Sequence, residues 1–328
     1  MQLQTHIDIK PFEQKINHSQ PILSIGSCFA DNIAQRLQHS KFQTVASPTG
    51  ILFNPESIAR TIERFAQANI SEETLPTKNQ LRFSNGVWFS YDFHSSFSHT
   101  DADTAVNQMR TAVKVGADAL SRAEVVIITF GTAFAYRLNE SDEVVANCHK
   151  QPQSIFTRQM LNVDYIVRIY TELLQGALSD KRVIFTLSPV RHLGDGLEQN
   201  SLSKATLRVA IAEIVSRNKN AEYFPSYEIM MDELRDYRFY ADDMAHPSKV
   251  AVDYIWERFS ECAFSGDTLE LIKRIAQITS ATEHRPFNPQ SDAYRNFCQQ
   301  MLQRIATLEL SHPTLDFTTE KEHFKRYL

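Results

Sequence analysis

The chain has 328 residues, 42 % of them hydrophobic and 22 % charged, with a formal net charge of -5. That balance affords a sizeable core in one large domain, or one domain with an appendage, and excludes disorder as the default. The negative charge argues against a nucleic-acid partner and against an anionic membrane surface, both of which need a basic face.

No stretch approaches the roughly 18 apolar residues of a membrane span. The opening MQLQTHIDIKPFEQ lacks the apolar segment and cleavage site of a secretory leader. The four cysteines, Cys28, Cys148, Cys262 and Cys298, form no CxxC pair and match no zinc spacing. A reduced, cytoplasmic setting is expected, with no metal and no cofactor. Cys262 and Cys298 fall in apolar helical patterns and read as small buried hydrophobes.

In chain order, residues 22–27 (ILSIGS) are a short apolar run ending in Gly-Ser. The following CFADNIAQRLQ puts Phe29, Ile33 and Leu37 on one stripe with Ala30 and Ala34. The unit predicted is strand, sharp turn, helix. Residues 45–55 read as a loop, and residues 80–92 as a hairpin around Asn85-Gly86. Residues 101–121 carry a helical stripe of Ala105, Val106, Met109, Val113 and Leu120. EVVIITFG (124–131) and RVIFTLSP (182–189) are continuous apolar runs fit for central parallel strands.

Residues 157–175 are predicted helical with Thr157 as N-cap and Leu161, Ile166, Ile169, Tyr170 and Leu173 inward. A helix over 201–217, a last strand within 222–229 and a helix from Pro247 to Cys262 follow. Strands alternating with helices mean a parallel sheet covered on both faces. The expected fold is a three-layer α/β/α, flavodoxin-like domain over residues 1–264 with an inserted β-hairpin. Beyond it, two helices near 267–280 and 291–310, joined by ATEHRPFNPQ, form a helical C-terminal extension (265–328) packed on that domain.

In an open α/β sheet, ligands bind past the carboxyl ends of the strands. Ser27 stands there, between a strand and a helix, either as an N-cap or as a nucleophile beside free backbone N–H groups. A serine nucleophile needs a base. His246 follows Asp243 by three residues, and a tight Asp-x-x-His turn sets the carboxylate on one imidazole nitrogen and frees the other. The plainer alternative is a capped helix with a solvent-exposed histidine. Asp242 has the wrong offset. A thiol at a helix start has a lowered pKa, but Cys28 is the first helical residue and points away from Ser27, so a packing role is favoured. Cys148 and His149, if in a strand, face opposite sides. His94 and His99, near Trp88 and Phe97, read as part of an aromatic hairpin packed on the domain.

A serine ending the first strand and a DxxH before the last core helix is the chain order of SGNH/GDSL hydrolases. More specifically, the sequence resembles the GSCFA family, a branch related to that superfamily. The motifs that carry the resemblance are Gly26-Ser27-Cys28-Phe29-Ala30, SPTGILFNP (47–55), TFGTAFAYR (129–137), NCHK (147–150), SPVRHLGDG (188–196), the run at 224–240 and DDMAHPS (242–248).

The resemblance implies a catalytic triad of Ser27, Asp243 and His246, with the N–H groups of Ser27 and Gly50 donating to the oxyanion. Two positions depart from the superfamily pattern. Gly26 stands where aspartate is common, and Ala133 stands where an asparagine amide completes the oxyanion hole. Losing one such donor costs about 3–4 kcal/mol. Thr132 and His192 are the candidate replacements, with Asn147 behind them; for each, a structural loop hydrogen bond is the plainer alternative. Asn147, His149, Arg191 and His192 are the substrate-binding candidates.

The function implied is a serine esterase that hydrolyses a small acyl ester, on a carbohydrate, through an acyl-serine intermediate and without a cofactor. Two other classes stay open. One is an acyltransferase using the same acyl-enzyme, and the other is a non-catalytic glycan-binding protein on a decayed esterase fold.

Overall fold

The apolar runs read as core strands all enter one parallel sheet in the computed structural model, which describes residues 5–283 and 286–328. Along the chain, β1 (Ile22–Gly26) turns directly into α1 (Cys28–His39) and returns to a short β2 (Thr44–Ala46). Next comes α2 (Pro55–Ala68), capped by Asn54, which accepts from the Ser57 amide at 2.8 Å. The expected hairpin follows as β3 (Arg82–Ser84) and β4 (Val87–Phe89), and then α3 (Ala102–Arg122) and β5 (Val125–Phe130). Three short strands, β6 (Phe134–Leu138), β7 (Val144–Val145) and β8 (Phe156–Met160), form a separate antiparallel sheet in the order β7-β6-β8.

The α/β pattern resumes with α4 (Val163–Gln175), β9 (Arg182–Leu187), α5 (Leu197–Arg217) and β10 (Ala221–Phe224). A single turn, α6 (Ser226–Glu228), widens into a π-turn at Ile229–Glu233 before α7 (Lys249–Ala263). Helices α8 (Gly266–Glu283), α9 (Asp292–Ser311) and α10 (Thr318–Lys325) follow.

The main sheet runs β10-β9-β5-β1-β2, all parallel, which is the flavodoxin-like order. Strand residues alternate between two cores. Leu23, Ile25, Val126, Ile128 and Phe185 face α2, α3, α4 and α5. Ile22, Val125, Ile127 and Ile184 face α1 and α7 through Phe29, Ile33, Ile255 and Phe259. The fold is therefore a three-layer α/β/α domain. The five helical-stripe residues of 101–121 are all buried in the first core.

Several local expectations are corrected. Residues 156–160 form β8 instead of the start of a helix. Pairing with β6 claims this backbone, and Thr157 hydrogen-bonds Asn139 instead of capping. The helix begins after Asn162, whose side chain accepts from the Tyr165 amide at 2.8 Å. Pro247 stands outside α7, bridged to Tyr240, and Ser248 is the N-cap. Residues 45–55 are not all loop, since β2 begins at Thr44 and α2 at Pro55.

Among the described residues the C-terminal helices number three, with their own core of Leu271, Ile275, Cys298, Met301, Ile305 and Phe324. Of the expected linker ATEHRPFNPQ, residues 281–283 continue α8, and residues 284–285 lie outside the described residues. The extension docks at the amino ends of the strands. Leu269 and Ile272 of α8 pack against the second core, and Lys41, just before β2, pairs with Glu320 of α10 at 2.7 Å. No helix among the described residues is long and apolar enough to cross a membrane.

Candidate active site

Gly26 ends β1 with φ +140°, and a side chain there would collide with the carbonyl oxygen of Thr129 on β5. Only glycine lets the chain pass this close, so an aspartate at this position is sterically barred. Ser27 comes next and donates its N–H to that same Thr129 carbonyl at 3.1 Å. It occupies the N-cap of α1 with extended backbone, yet its side chain makes no cap hydrogen bond. Asn54, Asp101, Asn162 and Ser248 all cap their helices with side-chain oxygens. The Ser27 hydroxyl is fully buried and has no hydrogen-bond partner among the described residues. An unpaired buried hydroxyl costs about 1–3 kcal/mol, so a plain capping role does not account for this one.

The second half of the site is the turn before α7. Met244 takes a left-handed conformation (φ +56°), and Ala241 donates to the His246 carbonyl at 2.8 Å. This curls Asp243 back on its own backbone. One carboxylate oxygen accepts from the amides of Ala245 and His246, each at 2.9 Å, and the other accepts from His246 Nδ1 at 2.6 Å. Those two amides first, and then the imidazole, hold the Asp243 carboxyl down at about 2. An ionised Asp243 keeps the proton on Nδ1 and leaves Nε2 as the acceptor. Both side chains are about half exposed, at 51 % and 49 %.

The two halves meet at the carboxyl edge of the sheet. Arg191, after β9, donates its N–H to the Ala245 carbonyl at 3.0 Å, which ties the Asp243–His246 turn to that edge. The His192 amide is held by Asn200 of α5 at 3.0 Å. The His192 ring is edge-on to Phe53, with centroids 5.7 Å apart, and its buried Nε2 lacks a partner among the described residues. Burial, and then the charge of Lys204, lower His192 to about 4, with His246 adding a smaller push; the Gly131 carbonyl opposes them. His192 is therefore neutral at neutral pH. A side chain at Gly131 would come within 3.3 Å of Ser27 Cβ and 2.9 Å of the Phe53 carbonyl. Gly131 thus links Ser27 to the His192 ring, and His246 acts on that ring through its charge. Asp243 and His246 are joined, whereas the Ser27 hydroxyl bonds to neither. Catalytic hydrogen bonds often tighten only with substrate present.

The three expected oxyanion donors are all engaged. Ser27 N–H goes to Thr129, Gly50 N–H to the Ser47 carbonyl at 2.7 Å, and Thr132 N–H to the Phe53 carbonyl at 3.0 Å. The Thr132 hydroxyl lies between Ser203 Oγ and the Phe134 amide, each at 3.1 Å. The amides of Cys28 and Phe29, at the head of α1, turn toward the Cys28 sulfur. Burial first, and then Asp31, raise that thiol, which opposes its use as a nucleophile.

Two substrate-binding candidates serve the fold instead. His149 Nε2 faces the carbonyls of Ser90 (2.9 Å) and Phe93 (3.0 Å), and its ring stacks on Phe89 with centroids 4.4 Å apart. It clips the segment after the hairpin to the domain. His149 also sits in a left-handed turn (φ +48°), so the strand geometry expected for Cys148 and His149 is absent. Asn147 accepts from the His149 amide at 2.7 Å and sets that turn.

Arg191 and His192 do line a cleft of about 410 Å³, with Phe53, Phe134, Tyr136 and Asn54. Cys148 lines it too, as a protonated thiol, since burial pushes it to about 11. Arg191 stacks on Tyr240 at 4.0 Å and has no carboxylate partner among the described residues. A larger groove, about 1450 Å³, lies at the amino ends of the strands around Glu124, Arg182 and Ala221. That is the wrong edge for chemistry in this class of sheet.

Lys204 was not foreseen. It is 1 % exposed and donates to the carbonyls of Gly131 (2.6 Å) and Ser188 (2.7 Å). Its signal was present in the sequence, because it falls on the same helical stripe as Leu207 and Ile211.

The GSCFA family profile matches residues 21–259. The chain belongs to the GSCFA family. A second profile, the C-terminal domain of GSCFA domain proteins, matches residues 275–328 and covers α9, α10 and the second half of α8. No curated protein matches the chain. Every residue of the site built above, from Ser27 to His246, falls inside the GSCFA match.

Proposed function

We propose that this GSCFA protein is a serine hydrolase of the SGNH type, acting on a small acyl ester carried by a carbohydrate. The observation that carries the reading is the Ser27 hydroxyl. It sits at a helix N-cap without capping, buried and unbonded, on the same edge as an oriented Asp243–His246 pair. Ser27 Oγ attacks the acyl carbon and passes its proton to His246 Nε2. Asp243 holds the imidazole in place and stabilises its charge. His246 returns the proton to the leaving alcohol, and water then cleaves the acyl-serine by the same route in reverse.

With Ser27, Gly50 and Thr132 already bonded, the amides of Cys28 and Phe29 would have to leave the weakly accepting Cys28 sulfur to serve the oxyanion. The aromatic walls at Phe53, Phe134 and Tyr136 suit the apolar faces of a sugar, and Asn54 and Arg191 suit its oxygens.

The test is labelling with a fluorophosphonate. Wild type should form an adduct and Ser27→Ala should not; equal labelling of the two overturns the reading. One observation favours the transferase variant of the same chemistry. Ser27 is fully buried in the free protein, so a site that opens for substrate and closes again over the acyl group would exclude water. Product analysis on an activated acetyl ester, with and without added sugar, separates the two. Acetyl sugar at the expense of acetate marks the transferase.

A further inference from the structure

Lys204 stands on the buried stripe of α5, where a leucine or methionine would pack without electrostatic cost. An ammonium group taken out of water is expensive unless something uses it. Among the described residues no carboxylate pairs with it. Instead, Nζ reaches 2.6 Å from the Gly131 carbonyl and 2.7 Å from the Ser188 carbonyl, just past the ends of β5 and β9. The loops that begin there carry Gly131, which lies against Ser27, and His192. The groups facing the ammonium are Cys28 from the head of α1, His192 from the loop after β9, and the ring of Tyr227 from α6 at 5.9 Å.

We propose that Lys204 is the positioning cation of the Ser27 site. It draws the ends of β5 and β9 together and sets a positive charge behind the first turn of α1. That charge stands in for the amide that Ala133 cannot supply. The role rests on the serine-hydrolase reading above. Its chemistry is electrostatic, since a fixed charge aimed at a developing oxyanion counts for more in a buried site than in water. Burial lowers Lys204 to about 7, with the thiol of Cys28 opposing the fall. The charge is therefore present below that pH and lost above it. Arginine, by contrast, stays charged throughout.

The experiment compares fluorophosphonate labelling rates of wild type, Ser27→Ala, Lys204→Met and Lys204→Arg from pH 6 to pH 9, with circular dichroism on each. Lys204→Met should label about 100-fold more slowly at pH 6.5, the scale of a lost oxyanion donor, with native dichroism. Wild type should slow above about pH 7 as Lys204 loses its proton, and Lys204→Arg should lack that decline. Should Lys204→Met fail to fold, the pH profile of Lys204→Arg decides the matter. Labelling of Lys204→Met within twofold of wild type, or an alkaline decline unchanged in Lys204→Arg, overturns the role of Lys204 and leaves the hydrolase reading standing. Absence of Ser27-dependent labelling in wild type removes both.

Discussion

At the scale of single residues, the site is defined by buried polar groups. Among the described residues Ser27 Oγ and His192 Nε2 have no partner, and Lys204 has two carbonyls but no counter-ion. Asp243 is the opposite case, with three hydrogen bonds fixing its carboxylate. Replacing Ser27 by alanine should lower ester hydrolysis by about 10⁴ or more, since nucleophile and base act as one unit. Asp243→Asn should cost about 10⁴ in kcat, because the amide favours the wrong tautomer of His246. Steady-state kinetics on an activated ester reads both. Because Asp243 stays ionised down to about pH 2, no loss of activity between pH 4 and pH 8 should trace to this carboxylate; an Asp243→Glu variant with a displaced acid limb in that range would contradict this. The candidates Ser27, Asp243 and His246 were legible as a spacing of residue types. The engagement of Thr132 and His149 was not, because it depends on the carbonyls of Phe53, Ser90 and Phe93, brought in from distant loops.

At the scale of elements, the close passage of β1 and β5 shapes the nucleophile turn. Gly26→Ala drives a methyl group into the Thr129 carbonyl at a left-handed position. It should destabilise the protein by about 3 kcal/mol, which chemical denaturation would detect as a lowered midpoint. The core strands could be read from sequence because each is a continuous apolar run between turns. Of the elements that escaped, α2 and β8 show the physical reasons. Helix α2 buries Glu56, Ser57 and Thr61 beside Ile58, Ile62 and Phe65, so its apolar stripe is interrupted. Strand β8 buries only Phe156 fully and exposes the next three residues, and so it carries no alternation.

At the scale of the whole molecule, Lys204 couples the site to stability. Its folded value of about 7 lies below the ordinary lysine value of 10.5. Below about pH 7 it is protonated in both states, and the burial penalty is fully present. Between about pH 7 and pH 10.5 the folded chain sheds the proton while the unfolded chain keeps it, so stability rises with pH in that window. The melting temperature of wild type relative to Lys204→Met should climb from pH 6.5 to pH 9.5. A constant difference between the two proteins would contradict the linkage. Such a link was hidden in the sequence, where a lysine on a helix is ordinarily solvated.

The three final helices hold the α/β/α domain at the end where its strands begin, through Leu269 and Ile272 on its second core and Lys41 with Glu320. The cleft opens where the strands finish. A bead, surface or fused partner attached through the last helix would therefore hold the protein by its heel, with that cleft turned outward.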